Sequence, residues 1–364
     1  MPIDVNPNIL MWAREEAGMT LGDVSSKLGI NILDLSHWET IGRVSFSDLE
    51  NLAHLYKRQT AIFFLNEVPK KVRKPKDYRN LATGETQFSP KTMLAIRRAE
   101  RYLKISRDLF TSEYWKDQYA WLKDFSGKAD KVEKEVTILR NLLEIDSEYS
   151  YKKSEDLFRK LRDKVERKLG IFVFQFPMPE EELDGFSYAF DQFPYAIVIN
   201  NQNAPVKKIF TLFHELGHIL KHDPGACKNN FKNDTLPIEL ECNNFAGKFL
   251  VPTELLVKTQ SVDKIFELAS NFNVSGEVYL RRLNEEKKIS KSIFFELLEP
   301  VRERSRSFKK DKKKQEGGPS MVVQSKSTRG SKFFEIVTTG AAGGKVSYST
   351  ASDLLGLKVG NIRL

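Results

Sequence analysis

The chain is poor in cysteine and histidine and has no long apolar run. Only Cys227 and Cys242 occur among 364 residues, too few for a disulfide framework and not spaced as a C-x-x-C pair. A reducing cytoplasm is the expected setting. The longest apolar runs, such as Ala61 to Leu65, are far too short to span a bilayer, and the first twenty residues lack the basic start and apolar stretch of an export signal. A membrane partner is not expected. Histidine occurs just five times, so any clustering of it is informative.

What the chain does have is bulk and positive charge. Hydrophobic residues make up 40%, with 25 Phe, so a sizeable core can be buried, and 364 residues exceed one hydrophobic core. Several domains are expected. The net charge of +9 permits an anionic partner without demanding one. Part of the excess is local: Arg302 to Lys314 carries eight basic and two acidic residues ahead of Gly317-Gly318-Pro319, and reads as a solvated linker.

Helical spacing dominates the pattern, and the fold class expected is α+β, mainly helical. Residues 1–68 form a compact set of short helices, with Gly29 as a break and Ser45 or Ser47 as cap of the fourth. Residues 69–150 are a connector and a helical region, with stripes at Leu94, Ile96, Ala99, Tyr102 and Leu103 and at Leu139, Leu142, Leu143 and Ile145. A third unit covers 151–300. In it, Ile171 to Phe176 and Tyr195 to Asn201 read as buried strands of a small sheet, followed by helices from about Ala204 to His222, capped by Asn203, and from Pro237 to Leu250. A basic flexible linker over 301–322 leads to a small α+β segment over 323–364, with Lys332 to Tyr348 strand-like around Gly343-Gly344.

Residues 1–68 resemble the helix-turn-helix domain of Cro and phage repressors, called XRE-type, at Met19-Thr20-Leu21, Val24 to Ile30, Leu35 to Glu39 and Leu49 to Tyr56. The resemblance implies a duplex DNA partner, with Asn31 to His37 in the major groove. That segment holds Asp34 and no Arg or Lys, so base reading falls to Asn31, Ser36 and His37. Lys27, Arg43, Lys57 and Arg58 are candidates for pairing with phosphates. Protein docking is the competing role for these helices.

The chemistry lies in Phe213-His214-Glu215-Leu216-Gly217-His218-Ile219-Leu220, inside a stretch that holds three of the five histidines. On a helix, positions i and i+4 share a face, so His214 and His218 can place two imidazole nitrogens on one Zn2+. Glu215 is set to take the proton of a water made acidic by the metal and deliver it to a leaving amine. Two buried imidazoles and a carboxylate among Phe213, Leu216, Ile219 and Leu220 are costly unless paired or metal-bound. A third ligand is required, and a metzincin continuation fails because Lys221 and Pro224 stand where Gly and His are needed. Glu239 is the favoured third ligand. Asn243, one turn on, can orient a ligating imidazole, and Glu241 is the weaker alternative because it projects elsewhere on the helix. His222 is a lesser candidate for the same polar face. Tyr188 and Tyr195 are candidates for stabilising the oxyanion.

His214 to His218, the block Glu239 to Ala246 with Leu250-Val251-Pro252, Asn273-Val274-Ser275 and Arg281-Arg282-Leu283 resemble the ImmA/IrrE metallopeptidases. An XRE domain followed by Ala61 to Leu65 and Asp77-Tyr78-Arg79 is similar to the fused subclass of that family. The resemblance implies a zinc endopeptidase of gluzincin-like geometry in a bacterial, phage or mobile-element setting, acting on a repressor or other regulatory protein. It implies His214, His218 and Glu239 as ligands and Glu215 as acid/base. Cys242 departs from the usual Ala, and Asn243 stands where related zinc peptidases often have Asp. The competing expectation is a DNA-binding regulator or antitoxin-like protein that uses the zinc fold as a sensor or docking module.

Overall fold

A computed structural model describes residues 2–77, 88–125, 132–145, 153–189, 193–221, 225–227, 236–307 and 320–362. The N-terminal unit runs β1 (Pro2–Asp4), α1 (Pro7–Glu16), α2 (Leu21–Leu28), α3 (Ile32–Ile41), β2 (Arg43–Ser45) and α4 (Phe46–Tyr56). Its boundaries follow local chemistry. Thr20 and Asp23 close a capping box on α2, and Gly29 ends that helix in the left-handed region at φ 67°. Asn31 caps α3, and Ser45, not Ser47, caps α4. The apolar faces of these helices gather Ile9, Trp12, Val24, Leu35, Leu49 and Leu52 into a core of their own. β1 and β2 pair antiparallel, with Ile3 opposite Val44.

A second core takes in the rest of the described chain, from Phe88 to Ile362. The connector contributes β3 (Lys76–Asp77), followed by α5 (Pro90–Leu109), α6 (Ser112–Gln118), α7 (Val132–Leu142) and α8 (Ser154–Leu169). Gly170, at φ 72°, ends α8 and admits the chain to β4 (Phe172–Phe176), β5 (Gly185–Tyr188) and β6 (Ala196–Asn200). With β7 (Gly225–Cys227) they form a sheet in the order β3-β7-β5-β6-β4. β4 is parallel to β6, β5 is antiparallel to β6 and β7, and β3 is parallel to β7. Every residue of β4, β5 and β6 is buried, as expected for strands covered on both faces. Phe172, Phe174 and Phe176 alternate on one face of β4, where Tyr102 of α5 meets Phe174 and Phe176 edge-on.

The chain continues through α9 (Pro205–Leu220), α10 (Pro237–Leu250), α11 (Val262–Asn271), α12 (Gly276–Glu285) and α13 (Lys291–Ser307). It ends in α14 (Met321–Arg329), α15 (Ser331–Ala342) and α16 (Tyr348–Leu355). The mainly helical α+β class is observed. Among the described residues no helix is long and apolar enough to cross a membrane.

Three expectations are corrected. Lys332 to Tyr348 is not strand-like: α15 occupies most of it, and residues 320–362 hold no strand among those described. The cause is distant in sequence. Buried Glu166 of α8 accepts from the backbone N–H of Ser331 at 2.8 Å and of Lys332 at 3.4 Å, placing a carboxylate on the start of α15. Phe333 then stacks on Tyr102 at 4.5 Å and meets Phe172 and Phe174 edge-on. Second, the basic stretch expected as linker begins inside α13, where Arg302 pairs with Glu277 and Arg304 with Asp263; residues 308–319 lie outside those described. Third, α9 ends at Leu220, and Ala204 holds its cap position without a side-chain bond. Asn203 instead donates to Asp184 at 3.2 Å, anchoring the turn after β6.

Candidate metal centre

α9 begins with Pro205 in its first turn, which sets a helical φ where the missing N–H has no partner to lose. It packs across β5 and β6 on one side and along α10 on another. Gly217 permits the close approach of α10: a Cβ there would stand 3.3 Å from both Cys242 Sγ and Phe245 Cδ1. Phe213 stacks on Phe249 at 4.0 Å and fixes the register of the two helices. α10 is held from beyond its end as well. Arg140 donates to the Phe249 carbonyl at 2.7 Å and fully buried Arg282 to that of Val251 at 3.2 Å, satisfying carbonyls that a helix end leaves open.

This packing brings together the residues singled out by spacing. His214 Nε2 and His218 Nε2 lie 3.2 Å apart. The Glu239 carboxylate completes the cluster, 3.4 Å from His214 Nε2 and 3.1 Å from His218 Nε2. Both histidines and Glu215 are fully buried, and Glu239 nearly so. Asn243 Oδ1 stands 2.9 Å from His214 Nδ1. A carbonyl oxygen there accepts from Nδ1–H, which leaves the Nε2 lone pair directed at Glu239 and His218. When the two imidazoles are protonated, their hydrogen bonds and charge outweigh the upward push of burial and hold the Glu239 carboxyl well below the usual carboxylate range.

The cluster fits a metal ion. Ligand atoms about 2.0–2.2 Å from a shared Zn2+ in a tetrahedron stand roughly 3.3–3.5 Å from one another. The observed separations, 3.1 to 3.4 Å, fall close to that range. Among the described residues, His214, His218 and Glu239 are the one group of His, Cys, Asp and Glu side chains so convergent. Three protein ligands leave a fourth position for water or substrate.

Residues 166–284 match Peptidase_M78, the IrrE N-terminal-like domain. The matched stretch runs from the end of α8 through β4 to α12 and holds His214, His218, Glu239, Asn243 and Glu215. It supports a peptidase activity for this domain. No curated protein and no solved structure matches the chain.

Other singled-out residues are placed elsewhere. Glu241 faces away from the cluster of His214, His218 and Glu239 and pairs with Lys221 at 2.7 Å. Cys242 is buried against Gly217, and burial pushes its thiol well above the ordinary range, so it serves packing and not ligation. Tyr188 donates to the Arg73 carbonyl, which engages its hydroxyl away from the cluster, and the Tyr195 ring packs against Tyr119 and Phe193. His222 lies outside the described residues. In the N-terminal unit Lys27, Asn31, Ser36, His37 and Arg43 are all exposed. Asn31 is already engaged, its Oδ1 accepting from Leu33 N at 2.9 Å. Arg58 does not suit a phosphate because its guanidinium is buried over the Trp12 ring, 4.5 Å from the centroid.

One residue of the site carries no strong sequence signal. Gly185 of β5 passes directly under α9: an added Cβ would lie 2.6 Å from Thr211 Cγ2, 2.8 Å from the Val198 carbonyl oxygen and 3.5 Å from Glu215 Cγ. Glycine is required there so that the strand can approach Glu215. A Gly beginning a short apolar stretch, Gly185-Phe186, is its sole mark in the sequence.

Proposed function

We propose that this protein is a zinc-dependent endopeptidase that cleaves a regulatory protein such as a repressor, and that residues 1–68 act as its targeting module, on duplex DNA or on a partner. The observation that carries the proposal is the convergence of His214 Nε2, His218 Nε2 and the Glu239 carboxylate beside buried Glu215. When bound, Zn2+ supplies a Lewis acid that makes water acidic near neutral pH and polarises a peptide carbonyl. The chain's own residues do the rest. His214, His218 and Glu239 hold the ion, and Asn243 keeps the His214 proton on Nδ1. Glu215, next along α9 from His214, accepts the proton of the attacking water and passes it to the nitrogen of the departing amine. Its burial keeps competing bulk water from that carboxylate.

The second reading, a regulator that uses the zinc fold as a sensor or docking module, is favoured by one feature. α3 exposes Ile32, Leu33 and Ile41 and holds no Lys or Arg, a surface suited to a protein as much as to DNA. Glu215→Gln separates the two readings. The purified chain is expected to carry about one zinc per molecule, as the three-ligand site requires, and Glu215→Gln to retain it while losing roughly a hundred- to ten-thousandfold in turnover. A native protein without zinc, or full biological activity in Glu215→Gln, defeats the peptidase proposal.

A further inference from the structure

The connector lies along the edge of the five-stranded sheet, where β3 is the outermost strand beside β7. Gly185 marks the part of β5 that lies against Glu215. β7 pairs with that part, Gly185 opposite Cys227 and Phe186 opposite Ala226. β3 pairs in turn with β7, Lys76 opposite Gly225 and Asp77 opposite Ala226. Phe186, Ala226 and Asp77 therefore stand in one row across three strands. Because β3 is parallel to β7 and β7 antiparallel to β5, the connector runs antiparallel to β5, from the level of Tyr188 toward that of Gly185 and Glu215.

Three further bonds hold the segment before β3. Tyr188 of β5 donates to the Arg73 carbonyl. The backbone N–H of Val72 donates to Glu16, the last residue of α1, at 3.1 Å, and that of Arg73 to Glu100 of α5 at 3.3 Å. The connector is thus fixed to the peptidase sheet at one end and to the N-terminal helices at the other.

A peptide presented for cleavage must lie extended past the metal, and proteins commonly hold extended peptides by adding them as a strand to a sheet edge. On the side of the sheet nearest Glu215, the outer edge of β7 is taken by β3. We infer that residues 72–77 form an intramolecular strap that occupies the substrate edge of the peptidase, so that an extended substrate and the strap exclude each other. The inference rests on the peptidase reading above. The β3–β7 ladder is only two residues long, so substrate can displace it, and its tie to Glu16 makes the displacement sensitive to where α1 sits. A partner that shifts the N-terminal helices opens the edge, which couples recognition by one unit to access at the other.

Two chelators test this on the full zinc-loaded chain. Acetohydroxamate reaches the metal alone, whereas the hydroxamate of a four-residue peptide also extends along the sheet edge. Lys76→Pro with Asp77→Pro removes both backbone donors of β3, and Tyr188→Phe removes the bond to Arg73. Both variants are expected to bind the peptide hydroxamate roughly tenfold more tightly than the unsubstituted chain, a shift the size of a few broken hydrogen bonds, with acetohydroxamate unchanged. Hydrogen exchange at residues 225–227 is expected to quicken in the proline variant. Equal affinity for the peptide hydroxamate in all three chains overturns the strap, as does unchanged exchange at 225–227. If acetohydroxamate binds none of them, the metal centre itself is refuted.

Discussion

At the scale of single residues, the site separates two carboxylates two positions apart on α10. Glu239 points at two imidazoles, and Glu241 points at Lys221. Glu239→Ala is expected to strip the third ligand and abolish zinc retention on dialysis. Glu241→Ala removes the partner of the Lys221 ammonium, whose side chain is only 5% exposed, so it should cost stability, about 1–3 kcal/mol, and keep its zinc. Asn243→Ala lies between, with metal affinity about ten- to a hundredfold weaker because His214 loses the partner that orients it. Metal analysis of the three variants checks this order, and a reversal of the two glutamates would place the ligand two residues further on. The histidines and Glu215 were legible because a helix converts a spacing of four into a shared face. The glycines were not. Gly217 and Gly185 owe their identity to Cys242, Phe245, Thr211 and Val198, neighbours that only the tertiary fold supplies.

At the scale of elements, β5 and α9 form one working joint. Gly185→Ala pushes a methyl into Thr211 and the Val198 carbonyl, so a loss of about 1–3 kcal/mol is expected in urea unfolding. Turnover should fall further than stability alone accounts for, because relief of the clash moves the strand away from Glu215; native turnover in a stable Gly185→Ala chain would show that the close approach has no catalytic part. Elements with strong local signals were legible, such as the two buried strands and the helix from Pro237 to Leu250. α15 was not, because its Phe, Ile, Val and Thr favour a strand locally. The carboxylate of Glu166 at its start and the aromatic face of β4 override that preference, and both come from elsewhere in the chain.

At the scale of the whole molecule, the two cores meet where buried Arg97 of α5 donates to the Tyr56 carbonyl of α4 at 2.9 Å. The N-terminal helices therefore ride on the body that carries the metal centre. If they engage duplex DNA, exposed Lys27 and Arg43 pair with its phosphates, and the combined Lys27→Glu and Arg43→Glu change should reduce the slope of log affinity against log salt by about 1 for each phosphate left unpaired. Fluorescence anisotropy over a salt series measures it. An unchanged slope would mark these helices as a protein-docking module. Point substitutions are the proper tool, since a truncation at Arg302 would cut α13 and remove α15 from the core. That last dependence reaches into biosynthesis. Phe172 and Phe174 leave the ribosome roughly 160 residues before Phe333, on the order of ten seconds of translation. For that interval the aromatic side of β4 keeps Tyr102 but lacks Phe333, and a ribosome paused between them displays a sticky nascent chain, a client for chaperones.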